Sequence, residues 1–179
     1  WWYPDSQKMI YSVSFNSIET IVYSINIDGT GEQIVFNNGN DKDEHPVVDP
    51  LDPDNIYYIY DNGNWTPNRR LRKRDVSAGN DTTLLGSNNR ADHYLAISHD
   101  GLTLTWSQSD SSYTGSRNVH VIGTDGSGVT KLTSVSGNNN LGNKINAQQS
   151  VFSPDDSKIA YIHNPVDYYE IYVMNADGS

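Results

Sequence analysis

The sequence contains no cysteine among its 179 residues. This excludes disulfide bonds and zinc sites with thiolate ligands, but it leaves the cellular compartment open. Long apolar runs are also missing, since no stretch approaches the roughly 20 residues that span a bilayer, and we expect no membrane insertion. Basic residues are few, 12 against 22 acidic ones, so the formal net charge is −10. A surface of this sign repels phosphate backbones, and nucleic acid is not an expected partner.

Common catalytic signatures are absent as well. The sequence has neither a Gly-x-Ser-x-Gly nucleophile elbow nor a His-Glu-x-x-His metal motif. The glycine-rich stretch 123–128 ends a predicted strand in a hairpin turn, so it is not read as a phosphate-binding loop. These absences favour a protein that is not an enzyme.

Short strands separated by turns dominate the sequence. Hydrophobic residues make up only 35% of the chain, and no extended helical periodicity is evident. Apolar residues instead alternate or form short runs, which predicts an all-β fold. The best predicted strands cover residues 8–14, 21–27, 55–60, 102–106, 158–163 and 170–175.

An internal repeat organises these strands. The most regular copy is 152–161 followed by 171–178, and three looser copies precede it. The aromatic residues Tyr11, Tyr58, Trp106 and Tyr161 occupy matching positions at spacings of 47, 48 and 55 residues. A period of about 40–50 residues with four strand-like runs is typical of β-propeller blades. The sequence predicts one propeller unit over residues 1–179, with blades at about 1–40, 41–90, 91–145 and 146–179.

The fourth copy resembles a known repeat. Ser153-Pro154-Asp155 with the downstream Asn175-Ala176-Asp177-Gly178 is similar to the WD40-like (PD40) repeat of the TolB family, and the resemblance covers essentially the whole chain. It implies a TolB-like β-propeller of four-stranded antiparallel blades in a periplasmic or extracellular setting. The same resemblance extends to the non-catalytic propellers of prolyl oligopeptidase-type enzymes and to oligogalacturonate lyases.

The four repeats are fewer than this family normally uses to close a ring. The first repeat begins at an inner strand, and the last blade is expected to lack its outer strand. We therefore expect either self-association, with a dimer completing the ring, or further blades in a longer chain.

The longer loops are predicted to share one face of the propeller, where binding residues usually reside. They cover 37–44, 61–69, 107–117, 134–148 and 164–169. Four aromatic residues in these loops are candidates for stacking on a glycan or anchoring a protein partner. They are Trp65, Tyr113, Tyr168 and Tyr169. The alternative is that these rings pack over the blade edges.

A basic run at 69–74 is unusual in so acidic a chain. On a third strand, Arg70, Arg72 and Arg74 would point the same way and could bind a ligand rich in carboxylates. The alternative is that they pair with nearby acidic side chains.

A third candidate site lies where the blade-to-blade connections enter the inner strands. We expect His45, His93 and Gln149 to be equivalent and to line the central channel, where they could bind a divalent metal. The arrangement resembles oligogalacturonate lyases, which hold a His- and Gln-ligated metal in the channel. The alternative is that these residues only line solvent. No other cofactor is expected.

Two functions follow from these observations, and a third is architectural. The favoured one is a non-catalytic interaction scaffold that binds a protein or carbohydrate through the long-loop face. The alternative is a metal-assisted lyase acting on acidic oligosaccharides, with the arginines meeting uronate carboxylates. In the third, the chain supplies blades to a larger enzyme.

Overall fold

The computed structural model confirms the all-β fold. It describes residues 1–15, 19–39, 41–61, 69–86, 91, 93–110, 115–166 and 168–179. These residues form 14 strands and no helix. The strands make four antiparallel sheets, and in each sheet consecutive strands are hydrogen-bonded neighbours. A meander of this kind is the structure of a propeller blade.

Each predicted repeat contains one sheet. The first comprises β1 (Lys8–Ser14), β2 (Thr20–Asn26) and β3 (Gln33–Phe36), with an inner bridge between Trp2 and Met9. The second comprises β4 (Lys42–Val48), β5 (Asn55–Asp61), β6 (Arg70–Asp75) and β7 (Asn80–Leu85). The third comprises β8 (His93–Ile97), β9 (Thr103–Ser109), β10 (Arg117–Gly123) and β11 (Thr130–Lys131). The fourth comprises β12 (Ala147–Phe152), β13 (Lys158–His163) and β14 (Glu170–Asn175).

The four sheets are distributed over two compact units, Trp1–Ala91 and Asp92–Ser179. The first unit holds the first two sheets and the second unit holds the last two. The fourth sheet has three strands, as expected for a blade without its outer strand. The structure therefore has the predicted TolB-like architecture of about four blades.

The repeated aromatic residue has the same place in every sheet. It lies on the second strand of the blade, directly opposite a large side chain on the third strand. In the first sheet β1 and β2 are these two strands, because the bridge at Trp2 takes the innermost place. The pairs are Tyr11 with Tyr23, Tyr58 with Arg72, Trp106 with His120, and Tyr161 with Tyr172. The ring centroids of the Trp106 and His120 pair are 5.4 Å apart and stacked. Cross-strand pairs of this type stabilise each sheet from within.

The core of the first unit is formed where its two sheets face each other. Ile10, Val22 and Phe36 of the first sheet and Val48, Ile56 and Tyr58 of the second form one cluster of buried side chains. Removal of this apolar surface from water is the main favourable term holding the sheets together. The side of the second sheet that carries Tyr58 therefore faces the preceding sheet.

The two sheets of the second unit are also joined through polar side chains. Thr105 Oγ1 and Ser150 Oγ form a buried hydrogen bond of 2.8 Å between β9 and β12. The backbone N–H of Gln149 donates to Ser107 Oγ at 3.2 Å. These bonds satisfy polar groups that would be costly to bury alone.

Candidate functional site

A β-bulge interrupts the inner strand of three sheets at the same place. The register breaks between Glu44 and Val47 in β4, between His93 and Ala96 in β8, and between Gln148 and Val151 in β12. At each break two residues of the inner strand lie opposite one residue of the second strand. That single residue is the repeated aromatic side chain, Tyr58, Trp106 or Tyr161.

The positions of the bulges show that His45 and Gln149 are equivalent but that His93 is not equivalent to them. The first bulge residue has a left-handed backbone in each case, with φ of 54° at His45, 60° at Tyr94 and 56° at Gln149. His93 precedes its bulge and corresponds to Glu44 and Gln148 instead. Counting back four residues from Ser98 also reaches Tyr94, so the predicted alignment was wrong by one residue at this repeat.

His45 and His93 lie in different units, and each is partly buried in its own. Burial lowers the pKa of His45, with Arg69 adding to the effect and Glu44 opposing it. A neutral imidazole is the form that binds metal. The described residues contain no group of three or more histidine or acidic side chains placed to hold a metal ion. The predicted channel metal stays a prediction.

The three arginines lie on one side of β6, as predicted. Arg70, Arg72 and Arg74 are directly opposite Tyr60, Tyr58 and Ile56 of β5, so they share the sheet side that faces the first sheet. They belong to a strand of the blade, not to a loop.

Arg72 and Arg74 make defined contacts within the first unit. Arg74 Nη1 donates to Asp81 Oδ2 at 2.8 Å and to Asn38 Oδ1 at 3.2 Å. The guanidinium carbon of Arg72 lies 3.5 Å from the ring centroid of Tyr60, close enough for a cation–π contact. A carboxylate ligand would have to compete with Asp81 for Arg74. Ligand binding by the arginines stays a prediction.

A buried aspartate beside these arginines was not found from the sequence. Asp43 is fully buried, and its Oδ1 accepts a hydrogen bond from Asn38 Nδ2 at 3.1 Å. Among the described residues Asp43 Oδ2 has no hydrogen-bond partner. Burial raises the pKa of Asp43 to about 6, the nearby Asp41 and Asp81 add to the rise, and the bond from Asn38 opposes it. Its sequence signal, an Asp-x-Asp pair, is indistinguishable from turn chemistry.

Arg69 connects two acidic residues at the same end of the second sheet. Its Nη2 lies 3.2 Å from Glu44 Oε2, and its Nε lies 3.3 Å from Asp61 Oδ2. All three side chains are largely shielded from solvent. Partial burial strengthens such contacts and makes the loss of one partner costly.

The predicted aromatic residues are only partly described. Trp65 and Tyr113 lie outside the described residues. Tyr168 and Tyr169 are 61% and 65% exposed, immediately before β14. Both side chains are thus largely exposed to solvent, and ligand binding by them stays a prediction.

A second loop of the same unit adds an apolar side chain that the sequence analysis missed. Residues 138–144 form a small hairpin in which Asn138 bridges to Lys144, and Leu141 near its tip is 67% exposed. Asn139 Nδ2 donates to the carbonyl oxygen of Val166 at 2.8 Å, which ties this hairpin to the loop that carries the two tyrosines. The available signal was a single leucine between turn-forming asparagines and a glycine. We call Leu141, Tyr168 and Tyr169 the loop cluster.

The part of the chain that the structure describes contains no helical segment that could span a bilayer.

Comparison with known proteins supports the fold. No family model matches the chain, and no curated protein matches it significantly. Among solved structures, TolB from Acinetobacter baumannii superposes with a TM-score of 0.73 at 17% identity, covering 98% of this chain and 40% of that one. A putative TolB from Agrobacterium tumefaciens gives 0.75 at 18% identity, covering 99% of this chain and 60% of that one.

An oligogalacturonate lyase from Vibrio parahaemolyticus is also similar. It superposes with a TM-score of 0.61 at 14% identity, covering 93% of this chain and 48% of that one. The chain thus spans 40% to 60% of the length of these three structures. At such identities the likeness establishes the TolB-like β-propeller fold alone.

Proposed function

We propose that this chain is a non-catalytic binding module whose loop cluster contacts a partner molecule. The observation that carries the proposal is the exposure of Leu141, Tyr168 and Tyr169, at 61% to 67%, on two loops joined by the Asn139–Val166 hydrogen bond. Water contact with such side chains is unfavourable, and apolar and aromatic side chains left exposed on adjoining loops are typical of interaction sites.

The geometry favours binding over chance exposure because hydrogen bonds made by Asn139 fix the conformation of the hairpin that carries Leu141. Asn139 also receives the backbone N–H groups of Leu141 and Asn143 on its Oδ1, at 3.1 and 2.9 Å. A loop fixed in this way loses little conformational freedom when a partner binds. Tyrosine supplies a large contact area with only two rotatable side-chain bonds, which makes it a frequent anchor.

A protein partner is favoured over a glycan. Tyrosine rings can stack on sugars or pack against protein, but the aliphatic Leu141 offers no flat face for a sugar ring. An apolar anchor beside two aromatic ones is the composition expected for the centre of a protein–protein contact. The TolB-like fold is the reason to expect this role in the periplasm or outside the cell.

Site-specific photocrosslinking tests the proposal. A photoreactive phenylalanine analogue at Tyr169 is expected to crosslink one discrete partner in cells that make the protein. The same analogue at Leu51, a 71% exposed residue in the turn between β4 and β5, is the matched control and should not give that product. Changing Leu141 and Tyr168 to alanine should abolish the crosslink from Tyr169. Equal crosslinking from both positions, or a crosslink insensitive to the alanine changes, would contradict the proposal.

The lyase alternative has less support from the residues. His93 is not equivalent to His45 and Gln149, and Arg74 is paired with Asp81. Its support is the similarity to oligogalacturonate lyase structures. Incubation with oligogalacturonate and Mn²⁺ tests it directly, because β-elimination creates an unsaturated product that absorbs ultraviolet light. We expect no such product.

A further inference from the structure

The fourth sheet exposes one apolar side. The register pairs Ala160 with Val173 and Ile162 with Ile171, so these four side chains point the same way, and Val151 opposite Ala160 joins them. Ile171 is 79% exposed, Val173 61% and Val151 47%. We call this set of five side chains the Val173 face. Its members are adjacent on one side of a sheet, unlike the scattered apolar residues normal on a protein surface.

The first sheet also exposes an apolar side. The register pairs Met9 with Ile25, Tyr11 with Tyr23, and Tyr23 with Ile34, and the bridge adds Trp2 opposite Met9. Trp2 is 49% exposed and Ile34 56%, while the side chains between them are half-buried. We call these six side chains the Tyr11 face: Trp2, Met9, Tyr11, Tyr23, Ile25 and Ile34. It is the opposite side of the sheet from Ile10 and Val22, which are fully buried in the core of the first unit.

These two faces correspond to the two halves of an interface that the first unit already contains. There, the side of one sheet that carries Ile10 and Val22 packs against the side of the next sheet that carries Tyr58. Tyr11 and Tyr58 are the repeated aromatic residues of their sheets, so the Tyr11 face corresponds to the Tyr58 side. Ala160 precedes the repeated Tyr161 as Ile10 precedes Tyr11, so the Val173 face corresponds to the Ile10 side.

We propose that a second copy of this chain covers the Val173 face with its own Tyr11 face. The contact is head-to-tail, because it joins two different faces of the chain. The two faces match each other in the same way as the Ile10 side of the first sheet matches the Tyr58 side of the second. Such heterologous contacts close into a ring when the rotation between copies allows it and otherwise extend into open chains. The residues are distinct from the loop cluster, so this proposal and the binding function stand or fall separately.

Concentration-dependent association of the 179-residue chain tests the contact. Light scattering and sedimentation equilibrium should show mass rising with concentration. Val173→Lys places a charge in the contact and removes a valine that the contact would bury, and Ile34→Lys removes an isoleucine in the same way on the other face. Because the contact loses one apolar side chain that it would otherwise bury, each change should weaken association about tenfold or more. Leu102→Lys is the matched control, since Leu102 is 62% exposed in a turn outside both faces and should have no effect.

Mixing the two variants distinguishes a head-to-tail contact from a symmetric one. Each variant alone is impaired, but the intact Tyr11 face of Val173→Lys can still meet the intact Val173 face of Ile34→Lys. An equimolar mixture should therefore associate more strongly than either variant alone. Ile171→Lys should reproduce the behaviour of Val173→Lys, and far-ultraviolet circular dichroism should show that all variants stay folded.

Three results would overturn the proposal. The first is a wild-type chain that stays monomeric at every concentration, which would assign these faces to some other occupant. The second is association that neither lysine variant weakens. The third is association lost with Val173→Lys and unaffected by Ile34→Lys, which would indicate an isologous contact between two Val173 faces.

Discussion

Asp156 Oδ1 accepts a hydrogen bond from the backbone N–H of His99 at 2.8 Å. The other carboxylate oxygen accepts one from the N–H of Asp100 at 2.9 Å, and His99 Nδ1 lies 2.9 Å from Oδ1. One side chain in the turn between β12 and β13 thus holds the turn between β8 and β9. Asp156 does this from a left-handed backbone, with φ of 56°.

Replacement of Asp156 by glycine tests whether the hydrogen bonds of its carboxylate stabilise the fold by more than its left-handed backbone conformation destabilises it. Glycine relieves a left-handed strain of about 1–2 kcal/mol, but two backbone hydrogen bonds to a charged carboxylate are lost, each worth about 1.5–3 kcal/mol, together with the contact to His99 Nδ1. We expect a net loss of roughly 2 kcal/mol in the free energy of unfolding, measured by urea denaturation. Ser6→Gly is the matched control, since Ser6 occupies the same turn position in the first sheet with φ of 57°. It should be neutral or stabilising, and an equal loss in both variants would contradict this account.

Asp156 also makes stability sensitive to acid. Burial alone would raise the pKa of Asp156, but the hydrogen bonds from His99 and Asp100 outweigh it, and the pKa lies below its usual value of 3.8. The folded state therefore binds the proton less tightly than the unfolded state. This contribution to stability is complete above pH 3.8 and is lost as the pH falls below it. The urea concentration at the midpoint of unfolding should fall as the pH drops below 3.8 in the wild type. In Asp156→Asn this fall should be smaller.

Asp43 should give the opposite pH dependence. Its folded pKa of about 6 lies above the unfolded value of 3.8, so the folded state binds the proton more tightly. Between about pH 4 and pH 6 the free energy of unfolding should therefore fall as pH rises, by roughly 3 kcal/mol from this group. Asp43→Asn should remove the effect and make the protein more stable than wild type at pH 7. Parallel pH profiles for the two proteins would contradict the assignment.

Arg69 should be more important for stability than its neighbours on β6. Arg69→Ala leaves Glu44 and Asp61 without their shared cation in a shielded site, which is expected to cost about 3–5 kcal/mol. Lys73→Ala is the control, because Lys73 makes a long cation–π contact of 5.7 Å to the ring of Tyr57 and a minor electrostatic contact with Asp75. Thermal and urea unfolding of the two variants compares them. If Arg69→Ala cost no more than Lys73→Ala, the bridge would contribute no net stability.

Substitution at the bulge of β12 tests whether its left-handed backbone is strained. Gln149→Val is expected to lower the free energy of unfolding by about 1–3 kcal/mol, because a β-branched residue fits that region poorly. Gln149→Gly should leave it unchanged or raise it slightly. Val151→Ala at an extended and exposed position of the same strand serves as the comparison. Similar losses for valine and glycine at 149 would show that the side chain of Gln149, not its backbone, matters there.

The sequence predicted the sheets well because their signal is local and repeated. The aromatic residues Tyr11, Tyr58, Trp106 and Tyr161 marked the second strand of every blade, and alternation alone placed the arginines of β6 on one side. The equivalence of His93 was wrong because the bulges carry His, Tyr and Gln at positive φ. A glycine there would have signalled the irregularity, and these residues do not.

The candidate sites were harder to predict because their partners are distant in the chain. Arg74 meets Asn38 across 36 positions, and Asn139 meets the carbonyl of Val166 across 27. Neither contact has a periodic signal. The exposed Leu141 was overlooked for the same reason, since its importance depends on a neighbouring loop and not on its own surroundings in the sequence.

The matching of Ile10-type and Tyr58-type sides has an evolutionary consequence. Every blade presents one side of each kind. After the gain or loss of a whole blade, an Ile10-type side therefore still packs against a Tyr58-type side at each contact between blades. A gene encoding this architecture can therefore change its number of blades by duplication or deletion without compensating core mutations. Changes shorter than one blade lack this tolerance, since they would remove part of a sheet and leave the side of a neighbouring sheet incompletely covered.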